Sequence, residues 1–287
     1  MKKHILLATL ILSLGVSSCQ ASKPTTKTTD DKTLKTEKRD MGNFSQLSVL
    51  TNSDIIFTQS PQCKVEITAP SETLSQITTE NKNGVLTIKE AQSLRKIAGV
   101  HIYQSLPSAD KVSIHISAPS LKSIQLMGNG DFDAATAIDQ KDALNIQLIG
   151  SGDIKIPTIK CPILTTILAG NGDMNIDNAD TKSLTISLAG NGDINFKRTK
   201  AANTVSVSVA GSGDVNLDNI DAQTVSCSVA GTGDATLKGK TVQYTKAIVG
   251  YGSIHDKNLH AQNTNTTDVR KSADTQYQPA SGINERP

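Results

Sequence analysis

Alternating apolar and polar residues recur at a nearly constant interval in the second half of the chain. Leu144, Ile146 and Leu148 are separated by single polar residues, and the same alternation returns from Leu184 and from Val205. A period of two with many β-branched residues is typical of a strand with one buried face. The pattern therefore predicts short strands repeated along the chain.

Each alternating stretch ends in the same short motif, Gly-x-Gly-Asp. The copies are Gly128–Asp131, Gly150–Asp153, Gly170–Asp173, Gly190–Asp193, Gly211–Asp214 and Gly231–Asp234, with a degraded copy at Gly250–Ser253. Their first glycines lie 22, 20, 20, 21, 20 and 19 residues apart, and a fixed period near 20 residues indicates a stacked architecture. Twenty extended residues make a closed perimeter of roughly 65 Å, and crossovers between parallel strands are nearly always right-handed. We therefore predict an all-β fold, a right-handed parallel β-helix with rungs of about 20 residues.

Less regular strands precede the repeats. The β-helix domain is predicted to cover residues 41–254, with the GxGD repeats in 122–254 and a strand-rich N-terminal cap before them. Val112, Ile114 and Ile116 fit one preceding coil, and Ser71–Glu80 is predicted to form a helix capped by Ser71. Lys246 falls where an inward apolar residue is expected, so the last rung is interpreted as a cap and residues 255–287 as a polar tail.

The N-terminus has the features of a lipoprotein signal peptide. A basic head is followed by about a dozen apolar residues, which are too few for an ordinary membrane span, and then by small residues before Cys19. This resembles the lipobox of bacterial lipoproteins, in which the peptide is cut before a lipidated cysteine. We therefore predict a signal peptide over 1–18, membrane attachment through Cys19 and a disordered tether over 19–40. Gln20 favours the outer membrane in a Gram-negative cell, and the leaflet is left open.

Composition and charge argue against several classes of function. The net charge is only +2, and aromatic residues make up 3% of the chain with no Trp, so neither an electrostatic field nor stacking platforms for nucleic acid are expected. Cys63, Cys161 and Cys227 are an odd number and cannot all pair within one chain. We expect Cys161 and Cys227 to be small buried residues. No motif for a catalytic nucleophile or a metalloprotease is present, so no catalytic residue is predicted.

The aligned glycines and aspartates form two predicted columns. Glycine suits a corner that needs positive φ or that leaves no room for a Cβ atom. The carboxylates would stack about 4.8 Å apart, so something should offset their repulsion. Two interpretations stay open for Asp131, Asp153, Asp173, Asp193, Asp214 and Asp234: each accepts backbone N–H bonds within its own turn, or Ca²⁺ lies between rungs. No other cofactor is predicted.

A third column consists of small outward residues on the strands before the turns. The candidate interface residues are Ser187, Ala189, Ser208, Ala210, Ser228 and Ala230. Such a face is interpreted either as an ordinary solvated surface or as a contact surface. The contact would be with another copy of the chain, a glycan or a surface protein.

The lipobox, the segment Glu37–Val49 and the GxGD ladder together resemble the autotransporter adhesin "head GIN" domain family, which is common in lipoproteins of the Bacteroidetes. The resemblance covers roughly residues 41–254 and implies a β-helical domain on the cell envelope. Together with the absence of catalytic motifs, this favours a non-catalytic, lipid-anchored protein with an adhesin-like head that mediates surface or envelope interactions. The alternatives are a β-helical polysaccharide-binding or polysaccharide-processing protein and a structural periplasmic scaffold.

Overall fold

A computed structural model describes the backbone of residues 33–90, 93–97, 100–104 and 112–268, and the side chains of residues 33–90 and 112–267. The predicted signal peptide, Cys19 and most of the predicted tether lie outside the described residues. Residues 269–287 of the predicted tail do so as well.

The regular structure of the described chain is β-strand, apart from one helical turn, α1 (Ser71–Leu74). The strands are β1 (Leu34–Arg39), β2 (Gln46–Leu50), β3 (Asp54–Gln59), β4 (Lys64–Pro70), β5 (Ile77–Lys82), β6 (Val85–Glu90), β7 (Ser93–Ile97), β8 (Val100–Gln104), β9 (Ser113–Ala118), β10 (Ser123–Leu126), β11 (Phe132–Ala134), β12 (Ile138–Asp139), β13 (Leu144–Leu148), β14 (Ile154–Lys160), β15 (Ile163–Leu168), β16 (Met174–Leu188), β17 (Ile194–Val209), β18 (Val215–Val229), β19 (Ala235–Ile248) and β20 (Ile254–Asp268).

Successive rungs pair as parallel strands in register. Leu184 of β16 pairs with Val205 of β17, which pairs with Val225 of β18. These three side chains point inward and are at most 1% exposed. Residues one period apart are therefore direct neighbours, and the interior fills with columns of buried residues, most of them apolar. The predicted β-helix is confirmed as a β-solenoid with a period of about 20 residues, while its right-handed sense stays a prediction.

Each rung has three faces. In β16 the buried positions are 174 and 176, then 179 and 181, then 184, 186 and 188. The alternation shifts between these groups, which marks two corners besides the glycine turn. We call the part before each glycine turn (183–189 in the rung of β16) the first face, the part that follows the preceding glycine turn (174–176) the second face, and the return segment (178–182) the third face.

The rung that underlies the first glycine turn is not the predicted one. It consists of β2 and β3, which pair in parallel with β10 and β11. On their other side, β2 pairs with β6 and β3 with β9. Ile114 and Ile116 of β9 therefore lie one rung further out than predicted, because the chain leaves the stack after β3 and returns through β4–β9. Antiparallel strands close this end, with β4 on β9, β1 on β4 and β5 on β6.

Strand β1 lies inside the predicted tether of residues 19–40, so that prediction extends too far. β1 pairs with β4 along its whole length, although its side chains are almost all exposed. The Arg39 guanidinium donates hydrogen bonds to the carbonyl oxygens of Leu74 (3.1 Å) and Ile77 (2.6 Å). Backbone pairing and this side chain, rather than apolar burial, hold the segment.

The predicted helix over Ser71–Glu80 is also too long. Only the single turn α1 forms, and no side chain caps its N-terminus. The chain then enters β5, because residues 77–82 pair antiparallel with β6.

The predicted polar tail of residues 255–287 begins too early. β20 pairs in parallel with β19 from Ile254 to Asp268, so the solenoid extends past the predicted end at residue 254. Most side chains of β20 are exposed. Its backbone hydrogen bonds do not depend on side-chain polarity, and a polar sequence can therefore add a rung to a stack that is already formed.

Candidate functional site

The glycine turns stack so closely that a side chain does not fit. A Cβ atom added to Gly172 would lie 1.8 Å from the carbonyl oxygen of Gly152 in the preceding rung, and one added to Gly192 would lie 1.9 Å from that of Gly172. The predicted lack of room is therefore observed. The other predicted reason, positive φ, is wrong for the complete GxGD copies, since among the glycines of these motifs only Gly250 of the degraded copy has positive φ. Glycine is required here because successive rungs are in close contact, and not because the backbone adopts a positive φ.

The aspartates form a hydrogen-bonded column that links the rungs. The backbone N–H of Asp173 donates to Oδ1 of Asp153 at 3.0 Å, and that of Asp193 donates to Oδ1 of Asp173 at 2.8 Å. The same bond joins Asp131 to Asp153, Asp193 to Asp214, and Asp214 to Asp234. The predicted bonds within a single turn are thus replaced by bonds to the next turn. The stacking of rungs places each N–H opposite the carboxylate one period earlier.

The column begins at a residue that the sequence pattern did not identify. Oδ1 of Asp54 accepts from the backbone N–H of Asp131 at 3.1 Å. In this first turn, Thr51 and Ser53 occupy the two glycine positions, and Gly128 and Gly130 stack on them. Side chains fit here because no glycine turn lies beneath.

The Glu90 carboxylate completes the first turn from outside the repeat. Its Oε1 accepts hydrogen bonds from the hydroxyls of Thr51 and Ser53, the latter at 2.8 Å, and from the backbone N–H of Asn52 at 3.2 Å. The two hydroxyl residues are 3% and 1% exposed. The available signal was the segment Thr51–Asp54, which is a GxGD copy with both glycines replaced.

The structure gives no specific support for calcium on this column. Within the part of the chain that the structure describes, no three His, Cys, Asp or Glu side chains form a group able to hold a metal ion. Oδ1 of each of the six aspartates already accepts a backbone N–H, the last from Ser253 at 2.7 Å. Calcium binding by these residues stays a prediction.

The third face and its corner with the second carry charges of alternating sign. Nζ of Lys200 lies 3.2 Å from the Asp180 carboxylate, and Nζ of Lys240 lies 3.3 Å from that of Asp221. The same pairing joins Asp139 to Lys160, Asp177 to Lys197, and Asp218 to Lys238. All these side chains are largely exposed, so each pair contributes at most about 1 kcal/mol. Alternation nevertheless avoids the repulsion that a column of one sign would produce.

The first face, in contrast, carries no charged side chain at its three outward positions nearest the glycine turn over seven successive rungs, and the exposed Lys122 lies at its outer edge in the first of them. Each rung contributes three outward positions, none of them buried. We call this surface the uncharged face. It consists of Ser123, Gln125, Met127, Asn145, Gln147, Ile149, Thr165, Ile167, Ala169, Thr185, Ser187, Ala189, Ser206, Ser208, Ala210, Ser226, Ser228, Ala230, Thr245, Ala247 and Val249.

The predicted interface residues all lie on the uncharged face, in two neighbouring columns. Ser187, Ser208 and Ser228 are direct partners in the strand register. Ala189, Ala210 and Ala230 form the column beside the glycine turns, which has only apolar residues from Met127 to Val249. The structure thus brings the six predicted residues together as one surface.

Large apolar side chains are exposed on the first face. Ile149 is 43% and Val249 51% exposed, and Ile163, at the outer edge of β15, is 50% exposed. In the same strand Thr166 points into the core, where its hydroxyl is fully buried and has no hydrogen-bond partner. This rung therefore shows isoleucine outside and an orphaned hydroxyl inside, the reverse of what burial alone favours.

A charged pair is largely buried near the C-terminal end of the solenoid. Nζ of Lys246 lies 2.5 Å from the Asp256 carboxylate, and both side chains are mostly buried. Burial, followed by the Asp256 charge, raises the pKa of the Tyr244 phenol and raises the pKa of the Cys227 thiol to about 12. Burial likewise raises the pKa of Cys161 to about 11. Both cysteines are buried as predicted, and Lys246 faces inward as predicted, although a further rung follows it.

Among the described residues, no helix is long and apolar enough to cross a membrane.

No curated protein matches the sequence of this chain. The family model described as "Putative auto-transporter adhesin, head GIN domain" matches residues 43–217 and 184–281.

Solved structures from Bacteroidetes share the fold. A "putative adhesin" from Parabacteroides merdae has a TM-score of 0.63 at 18% identity, over 82% of this chain and 96% of that one. A "putative lipid binding protein" from Parabacteroides distasonis has a TM-score of 0.59 at 19% identity, over 82% and 96%. A "putative adhesin" from Bacteroides fragilis has a TM-score of 0.56 at 20% identity, over 83% and 95%.

Proposed function

We propose, because this chain belongs to the auto-transporter adhesin head GIN domain family, that it is a non-catalytic, lipid-anchored cell-envelope protein that makes adhesive contacts. In this proposal the β-solenoid is a rigid head, and the uncharged face is its contact surface. Cys19 carries the lipid and holds the head at the membrane, with the outer membrane as the expected location.

The observation that carries the proposal is the contrast between the faces of the solenoid. About one residue in five of the chain is charged, and the third face shows Asp or Lys on rung after rung. On the uncharged face none occurs, and three exposed isoleucine and valine side chains lie on or beside it. A contact on this side does not have to desolvate a charge, which is a major cost in burying protein surface.

The anchor is tested by changing Cys19 in cells that produce the full chain. The wild-type chain is expected in the membrane fraction and to incorporate a labelled fatty acid. A Cys19→Ser chain is expected to lose the label and its lipid-dependent attachment. Equal labelling of both chains would contradict lipidation at Cys19.

The contact surface is tested by placing a charge on it. Cells that produce the full chain are allowed to bind immobilised envelope vesicles of the same strain. Ala210→Lys is expected to reduce binding severalfold, because the lysine would have to be buried without a partner. Ala202→Lys is the matched control, since Ala202 is exposed but lies outside the uncharged face. Equal binding by all three chains would contradict the proposed role of this face.

A further inference from the structure

The chemistry of the uncharged face also indicates what it contacts. We propose that its partner is the same face of a second copy of this chain, so that the head is homophilic. This inference rests on the proposed function, since it identifies the partner of the same surface.

The polar groups of the uncharged face are self-complementary. Away from the glycine turns its columns consist mainly of hydroxyl residues, such as Thr185, Ser206 and Ser226 in one column. A hydroxyl is both donor and acceptor, and so is a side-chain amide such as that of Gln147. Two identical faces of this kind can satisfy each other's hydrogen bonds. An ammonium or a carboxylate on a charged partner would find no opposite charge there.

The shape of the face suits a second sheet. Its side chains are small over the three rungs that end in Ala189, Ala210 and Ala230, and in the rung before them only Ile167 is large. Sheets that pack face to face lie about 10 Å apart, and small side chains permit this approach without large gaps. A second copy also has the same rung spacing of about 4.8 Å, so its columns stay in step along the whole face.

The available area is sufficient for a specific dimer. Seven rungs span about 29 Å and a face of six to seven residues spans about 20 Å, which gives about 600 Å² on each copy. Two copies would bury about 1,200 Å², the lower end of the range for specific protein interfaces.

Exposed apolar side chains also favour a partner on this side of the solenoid. Ile149, Ile163 and Val249 are each at least 43% exposed, and all lie on the first face. Thr166 keeps its orphaned hydroxyl inside while Ile163 and Ile167 of the same strand stay outside. A partner on this side would cover the isoleucines without burying a charge.

The test is sedimentation equilibrium of the full chain, purified from membranes in density-matched detergent. The wild-type chain is expected to approach twice the protein mass of one copy as its concentration rises. Ala210→Lys is expected to raise the dimer dissociation constant by about 100-fold, because two unpaired ammonium groups would be buried together. Ala202→Lys should behave as wild type. Circular dichroism and the urea midpoint show whether each variant is folded.

The outcomes separate this inference from the proposed function. A wild-type chain that stays monomeric, or an Ala210→Lys chain that dimerises like wild type, would overturn the homophilic inference. If in that case Ala210→Lys still weakens binding to envelope vesicles, the face binds a partner of other chemistry and the proposed function stands. If vesicle binding is also unchanged, both are wrong.

Discussion

Replacing Gly172 by alanine tests whether the space between rungs requires glycine at the turns. The added Cβ would lie 1.8 Å from the carbonyl oxygen of Gly152, so the two turns must separate by about 1.2 Å to reach even the closest tolerable contact. Three nearby bonds would stretch by a similar amount: from the Asn171 N–H to Gly150, from the Asp173 N–H to Asp153, and from the Ile154 N–H to Asp173, now 2.8–3.0 Å long. At about 1 kcal/mol for each bond, the variant should lose about 3 kcal/mol of unfolding free energy.

The loss is measured by urea unfolding followed by far-ultraviolet circular dichroism, because the chain has no Trp. Ser151→Ala is the matched control in the preceding turn, since Ser151 is exposed and already has a Cβ atom. It should unfold within about 0.5 kcal/mol of wild type. A Gly172→Ala chain that is as stable as this control would refute the reasoning, because the rungs would then have room to spare.

Three further sets of changes probe the middle of the aspartate column, its first turn and the buried thiols. Asp193→Ala should cost about 1–2 kcal/mol in urea unfolding because it leaves a backbone N–H of the next rung unpaired, whereas Asp193→Asn keeps the acceptor oxygen and should cost under about 0.5 kcal/mol; equal losses would contradict this role. Glu90→Ala should cost about 2 kcal/mol, since two buried hydroxyls lose their acceptor, and Glu90→Gln less; the measurement is the same. At pH 8, a maleimide should label Cys63, which is only half-buried, before Cys161 and Cys227, because the raised pKa values of those two thiols keep them protonated. Faster labelling of Cys161 or Cys227 would contradict this expectation. The native chain keeps those two protons between pH 9 and about 11–12 while the unfolded chain releases them, so the free energy of unfolding should fall above pH 9 by about 1 kcal/mol per thiol per pH unit. Cys161→Ala/Cys227→Ala should remove the fall between pH 9 and 10, whereas above pH 10 the raised pKa of Tyr244 still makes stability decrease.

The repeat made most of the fold readable from the sequence. A strict period places each inward residue above its counterpart, so positions such as Leu184 and Val205 identify the core without any long-range information. The Ser and Ala columns on the outer surface can be predicted from the same period of about 20 residues. The charge pairs were equally accessible, because Asp180 and Lys200 are one period apart, but they require the polar positions to be followed from rung to rung.

The ends of the solenoid could not be predicted from the repeat. Asp54 and Asp131 are joined across 77 residues, and the turn at Thr51 lacks glycine because nothing of its kind lies beneath it. β20 has few inward apolar residues, and its place depends on backbone bonds that any sequence can make. Glu90 belongs to no repeat at all, so only the three-dimensional arrangement shows what it does.

The charge columns show that the structural repeat and the electrostatic repeat differ in length. The backbone repeats at every rung, but along the third face the sign reverses at every rung from Asp139 to Lys240, so the charges repeat only after two. Removing a single rung would leave the hydrogen-bond ladder intact and would bring Asp180 beside Asp221, about 4.8 Å apart. Removing two would preserve both patterns. The uncharged face has no such constraint, since none of its rungs carries a charge. One side of the solenoid is therefore tied to a two-rung unit by its charges, while the other can meet a copy of itself in any rung register without bringing like charges together.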